Sequence, residues 1–293
     1  MALIFVTGAS RSGTTLLARL LGGHSAVLDC HELHFFGDLW TPVTRPSTLG
    51  DAQLIPLAAT LLARHTRGLW GGRPGAIERT WATRLVQQLS PQARTAPALF
   101  AAVLQQFAAD AGRRIACEQT PRNIFYADHL LATYPEARVI HITRDPRAVL
   151  ASQKHRWQLR RLGACHLPVH EMLRNRLNYH PYTMARLWTR ATEAAQRLRH
   201  HPRVLGLRYE ELAEDASGAA RRLCQFVGLD FEPGMLSLPR WGSSHVSHTH
   251  ADVGVDRDLT GEWRQRLSAR EALVCEAVNR RWMRRLGYPP EYL

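Results

Sequence analysis

The chain has 293 residues, with 38 Lys+Arg against 25 Asp+Glu and a formal net charge of +13. Lys154 is its one lysine, so the other 37 basic residues are arginines, and any chemistry that needs a lysine in a glycine loop is excluded. The 45% hydrophobic and 22% charged content excludes disordered and fibrous classes, and the length is enough to bury the core of one large α/β domain.

Leu3-Ile4-Phe5-Val6 is a continuous apolar run, as expected of a strand buried on both faces of a parallel sheet. The start carries no basic region and passes after a few apolar residues into glycine, so no signal peptide is expected. Gly8-x4-Gly13-Thr14-Thr15 follows the strand, and Thr14 to Leu21 has helical apolar spacing that ends at Gly22-Gly23. Strand, glycine loop and helix in this order open a βαβ unit. The stretch from Ala52 to about Gly112 reads helical, broken at Gly71–Gly75. Ile115–Cys117 reads as a strand, Ile124–Tyr134 as a helix, and Arg138–Thr143 as a strand. The last of these leads into a helix with Asp145 as N-cap and Pro146 in its first turn. Val204–Leu207 predicts a fourth strand, Ala216–Val227 a helix, and Ala269–Arg285 a last amphipathic helix. Alternating strands and helices predict an α/β fold with a doubly wound parallel sheet flanked by helices. A single domain over 1–293 is expected, with a helical insertion at about 42–112 and a loop-rich lid at about 233–261.

No apolar run approaches the roughly 20 residues of a bilayer span. The five cysteines (Cys30, Cys117, Cys165, Cys224, Cys275) are scattered and never form C-x-x-C. They read as reduced thiols of a cytoplasmic protein without a structural zinc site. The arginine excess reads as composition, with a polyanionic partner such as nucleic acid as the weaker alternative.

The glycine loop has Walker spacing, but Thr14 stands at the lysine position. Its backbone N–H groups and the helix dipole still form an anion cradle, to which Arg11 adds a permanently charged planar fork and Thr14 and Thr15 add hydroxyls. A single phosphate-like anion fits this loop; a magnesium-assisted triphosphate does not. The kinase alternative would need both lysine and magnesium.

Arg11-Ser12-Gly13-Thr14-Thr15-Leu16-Leu17 resembles the [K/R]-S-G-T-T-L loop of sulfotransferases that use 3′-phosphoadenosine-5′-phosphosulfate (PAPS). Arginine in first place resembles the protein-tyrosine sulfotransferase branch and many bacterial relatives. Arg144-Asp145-Pro146-Arg147, with Ser152 eight residues after Arg144, resembles the family's 3′-phosphate motif. Arg208-Tyr209-Glu210-Glu211-Leu212 and Gly261-Glu262-Trp263-Arg264 resemble two further elements. The resemblance implies a P-loop-like fold, PAPS as cofactor with 3′,5′-ADP as product, no metal, and an acceptor bearing a hydroxyl (a small molecule, sugar or peptide tyrosine). It implies PAPS contacts from Arg11, Ser12, Gly13, Thr14, Thr15, Leu16, Arg144 and Ser152. Tyr209 is either an adenine contact or a plain core residue.

Sulfuryl transfer needs a base for the acceptor proton and a cation for the leaving phosphate. Glu32 lies 21 residues past Arg11, the spacing of the proposed base in the tyrosylprotein-type enzymes. His31 and His34 are rivals, and Phe35 and Phe36 are expected to wall the carboxylate and raise its basicity. One departure stands out. Where the family often has E-K-T-P, this chain reads Glu118-Gln119-Thr120-Pro121, so Arg11 acts alone, Arg122 or another arginine reaches in, or activity is reduced. His245, His248 and His250 read as part of a loop over the cofactor rather than as metal ligands.

Overall fold

In the computed structural model, β1 (Leu3–Gly8) is buried along its whole length because helices cover both faces of the sheet. Leu3 and Phe5 point into one core, and Ile4 and Val6 into another, which is why the strand is continuously apolar. Residues 3–42, 48–156, 161–162, 165–166, 168–237 and 261–293 are described. The segment 238–260, with His245, His248 and His250, and Trp157 lie outside them.

The first half continues with α1 (Thr14–Gly22), β2 (Val27–Asp29), α2 (Asp51–Arg67), α3 (Ala76–Gln87), α4 (Ala96–Asp110), β3 (Ile115–Glu118), α5 (Ala127–Thr133), β4 (Arg138–Thr143) and α6 (Pro146–Lys154). A short antiparallel pair follows, β5 (Arg161–Leu162) with β6 (Cys165–His166). The second half holds α7 (Val169–Leu177), α8 (Pro181–Arg197), β7 (Val204–Arg208), α9 (Tyr209–Glu214), α10 (Ala216–Val227), α11 (Trp263–Arg266) and α12 (Ala269–Arg285).

The main sheet is parallel, in the order β2-β3-β1-β4-β7. β1 is central, with β3 and β2 on one side and β4 and β7 on the other, and ligands of such sheets bind at the carboxyl ends of the strands. Gly8 faces Ile142 across the β1–β4 ladder, and a Cβ there would meet Ile142 O at 2.7 Å. The close approach sets the end of β1 beside the end of β4. One core lies between the sheet and α2–α4, and the other packs α1 and α10 on the opposite face.

Three differences from the sequence reading have plain causes. β2 is a three-residue edge strand, too short to show a period. The helix expected over 124–134 is a 3-10 turn over Pro121–Tyr126 followed by α5, so its start is tighter than the apolar spacing implied. The unpredicted α8 buries Ala185, Trp188, Ala191, Ala194 and Ala195, a stripe made mostly of alanine and therefore faint among its arginines.

The second motif is held rigidly from below. Asp145 caps α6 by accepting from Arg147 N at 2.8 Å, and buried Arg147 pairs with Asp145 at 2.7 Å and Glu276 at 2.8 Å. Glu276 also accepts from the backbone N–H of Glu291 and Tyr292, at 2.9 and 2.8 Å, which fastens the C-terminal segment. Removing the cation leaves buried carboxylates uncompensated. Arg147→Ala is expected to cost about 3–5 kcal/mol in urea unfolding, and adding Glu276→Gln should restore part of that loss.

Candidate active site

The glycine loop turns sharply at residues of unusual backbone geometry. Gly13 has φ 100°, and a Cβ there would lie 2.6 Å from the Tyr209 ring. Only glycine meets both demands. Arg11 adopts φ 78° without being glycine, a strained geometry that aims its side chain across the loop. There Arg11 Nε donates to Ser152 Oγ at 2.9 Å, joining the two motifs across 141 residues of sequence.

The start of α1 takes no side-chain cap and has no acidic residue in its first turn, so its amides suit an anion. Ser12 Oγ is fully buried and has no hydrogen-bond partner among the described residues. Thr14 is buried, Thr15 Oγ1 donates to Gln119 Oε1 at 3.4 Å, and Leu16 is half-buried against the α1-side core.

Arg144 leaves the end of β4 nearly buried, with its guanidinium 4.1 Å above the Tyr209 ring. Its backbone carbonyl accepts from Trp188 Nε1 at 3.0 Å. Tyr209, at 2% exposure, is a core residue that supports both Gly13 and Arg144. Its neighbour Glu210 accepts from Asp145 N at 2.9 Å and from Tyr288 Oη at 2.8 Å. Arg144 and Ser152 line a small solvent-open cleft with Ala148, Ala151, Glu262, Trp263 and Arg266. The end of the Gly261–Arg264 element thus meets the second motif.

The electrostatics point the same way. Burial first, and then the nearby charges of Arg156 and Arg144, lower the Arg11 guanidinium to about 10 against the pull of Glu32. Arg156 is also lowered, by burial first, with Glu32 and Glu171 opposing and Arg174 reinforcing. Glu32 therefore stands in reach of both Arg11 and Arg156, and it shares a 3.0 Å hydrogen bond with His34 Nε2. A buried arginine lowered further by neighbouring cations suits a place that receives an anion. Lys154 is not among them. Its ammonium bonds Glu271 at 2.7 Å and Arg266 O at 3.0 Å, a structural tie between helices.

The segment carrying Glu32 is bent twice, at His31 (φ 63°) and His34 (φ 50°). The bends are held by His31 N on Asp29 Oδ1 at 2.8 Å, His34 N on Thr120 Oγ1 at 2.9 Å, and Arg64 Nη1 on Leu33 O at 2.8 Å. Glu118, fully buried at the end of β3, accepts from Leu33 N and Thr120 N, both at 3.1 Å, and from Asn123 Nδ2 at 2.6 Å. Thr120 Oγ1 donates to it as well. Phe35 and Phe36 do not wall Glu32. They lie in the aromatic core, with Phe35 stacked on Phe100 at 4.1 Å, and the groups around Glu32 are histidine and arginine instead. Arg122 is exposed.

The sequence reading missed Arg156, Arg266, Glu118 and Glu210. Arg156 has no local signal, since it lies beyond the end of α6. Glu118 does have one, as an acid at the carboxyl end of a predicted strand.

The geometry agrees with what comparison with known proteins finds. The sequence model of the Sulfotransferase family matches residues 3–233. The chain belongs to the sulfotransferase family. It is 28% identical to the nodulation protein NoeE of Sinorhizobium fredii over 97% of this chain and 65% of that protein. It is 31% identical to the omega-hydroxy-beta-dihydromenaquinone-9 sulfotransferase Stf3 of Mycobacterium tuberculosis, over 46% of this chain and 34% of that protein. The chain thus spans less than two thirds of the length of either relative. Two solved structures share the fold, each with TM-score 0.60. They are the sulfotransferase domain of the Synechococcus PCC 7002 olefin synthase (20% identity, 94% of each chain) and that of the curacin biosynthetic pathway (19%, 99% of each). Among the described residues no three His, Cys, Asp or Glu side chains converge as metal ligands, and no helix is long and apolar enough to cross a membrane.

Burial pushes the Glu118 carboxyl up from 4.5 to about 7, although four donors favour its charged form. A raised folded-state value means stability that is present below about pH 4.5 and lost as the pH rises toward 7. Across that interval the wild type should lose on the order of 3 kcal/mol relative to Glu118→Gln, measured by denaturant unfolding at pH 4.5 and 7.5.

Proposed function

We propose that this sulfotransferase-family protein moves a sulfuryl group from PAPS to an acceptor hydroxyl. The observation that carries the reading is the 2.9 Å bond between Arg11 and Ser152, which brings two distant motifs side by side. The residues fit the cofactor on their own terms. The buried Ser12 hydroxyl, the uncapped start of α1 and Arg11 suit the 5′-phosphosulfate, and Arg144, Ser152 and Arg266 around the cleft suit the 3′-phosphate. PAPS, when bound, supplies the sulfuryl group and departs as 3′,5′-ADP.

The protein's own residues then have separable tasks. Glu32 takes the acceptor's hydroxyl proton on its carboxylate. His34, hydrogen-bonded to it, fixes its direction, and the Glu118 network holds the bent segment that carries it. Arg11 and the α1 amides offset the negative charge that grows on the phosphate side. Tyr209 acts through Arg144, which it supports from below. The acceptor approaches on the Glu32 side, and the name of Stf3, an omega-hydroxy quinone sulfotransferase, supports a hydroxyl-bearing small molecule. Nucleic acid is not a partner in this reading, and no metal is required.

Glu32→Gln should lower kcat by about 10²- to 10⁴-fold while leaving the Kd for 3′,5′-ADP within twofold, by calorimetry and labelled-PAPS transfer. Turnover like that of the wild type would remove the base assignment. Arg144→Ala should instead weaken 3′,5′-ADP by about 10- to 100-fold, and an unchanged Kd would remove Arg144 from the 3′-phosphate site.

A further inference from the structure

Position 119 leaves a charge unaccounted for. Gln119 is nearly buried beside the phosphate loop, and its Oε1 accepts from Thr15 Oγ1 at 3.4 Å. It can orient the loop but cannot neutralise a transferring group. Arg122, three residues on, is exposed.

A second cation nevertheless lies near the centre. Arg156 stands two residues past the end of α6 and four after Ser152, and Ser152 is the residue bonded to Arg11 at 2.9 Å. Of the charges around Arg11, Arg156 acts on it most strongly, ahead of Glu32 and Arg144. The charged groups facing Arg156 are Glu32, Glu171 and Arg174, and Arg174 is itself paired with Glu171 at 2.6 Å. Arg156 Nε is buried and has no hydrogen-bond partner among the described residues. A buried guanidinium N–H in this position calls for an acceptor.

We propose that Arg156 binds the sulfuryl oxygens of PAPS, supplying from just beyond α6 the positive charge that Gln119 does not bring. The inference rests on the PAPS reading of the site and adds to it a residue that distinguishes PAPS from 3′,5′-ADP. Arg11 and Arg144 hold phosphates that both nucleotides share. Arg156 meets the group that only PAPS carries, beside Glu32, where the acceptor hydroxyl must arrive. A planar fork suits two oxygens of one sulfuryl group better than an ammonium does.

The test compares the two nucleotides by calorimetry without acceptor. Arg156→Ala should weaken PAPS by about 10-fold or more and change 3′,5′-ADP by less than twofold. With acceptor, kcat should fall by about 10²-fold. Adding Gln119→Lys to Arg156→Ala should return PAPS affinity and part of the turnover, because the charge is restored from position 119. Equal effects on both nucleotides, or no effect on either, would overturn the inference, as would absence of rescue by Gln119→Lys. If Arg156→Ala does not fold, Arg156→Gln carries the same comparison. Wild-type protein that binds neither nucleotide would contradict the PAPS reading itself, which separates the two failures.

Discussion

The site depends on one constraint: guanidinium groups of like charge must be held close together before any anion arrives. Arg144 and Arg156 both lie within electrostatic range of Arg11, whose guanidinium is lowered first by burial and then by their charges. The fold sustains this with ties to neutral and anionic groups. Arg11 is bonded to Ser152, Arg144 rests on Tyr209, and Glu32 faces both Arg11 and Arg156. The parallel sheet provides the frame, because β1, β4 and β7 are adjacent and end on the same side. Gly8 and Gly13 permit the two closest approaches, to Ile142 and to Tyr209. An anion entering this place relieves repulsion as well as gaining hydrogen bonds, so binding and stability are coupled.

The arginine excess has a structural share too. Arg64 donates to Leu33 O and His34 O, Arg203 to Tyr134 O and Leu131 O, and Arg222 to Gly206 O. Each holds carbonyls at a loop or strand edge with a rigid, multi-donor head that lysine lacks. The single lysine is likewise structural, tied to Glu271. The high positive charge thus includes arginines that fasten loops and arginines that crowd the site.

Much of this architecture was legible in the chain. The apolar run of β1, the glycine loop and α1 follow from local spacing, and the lining of one cleft by Arg144 and Ser152 is consistent with their helical spacing. Other features were not, for identifiable reasons. β2 is too short for periodicity, and α8 packs with alanine where leucine would have shown a stripe. Phe35 and Phe36 looked like neighbours of Glu32 because they follow it in sequence. The bends at His31 and His34 carry the chain from the site into the core within three residues, and the network that holds them draws on Glu118 and Thr120, more than 80 residues away. Arg156 was visible as a residue but not as part of the site, since its partners come from three separate segments.

As proposed above, these arginines form a site for a nucleotide carrying separate 3′- and 5′-anions, without a metal. Thermal unfolding of the wild-type protein with 3′,5′-ADP, 5′-AMP or ATP with magnesium, at equal concentrations, tests it most directly. A rise in Tm of several degrees is expected with 3′,5′-ADP, a smaller one with 5′-AMP, and none specific to magnesium ATP. A shift confined to ATP with magnesium would contradict it.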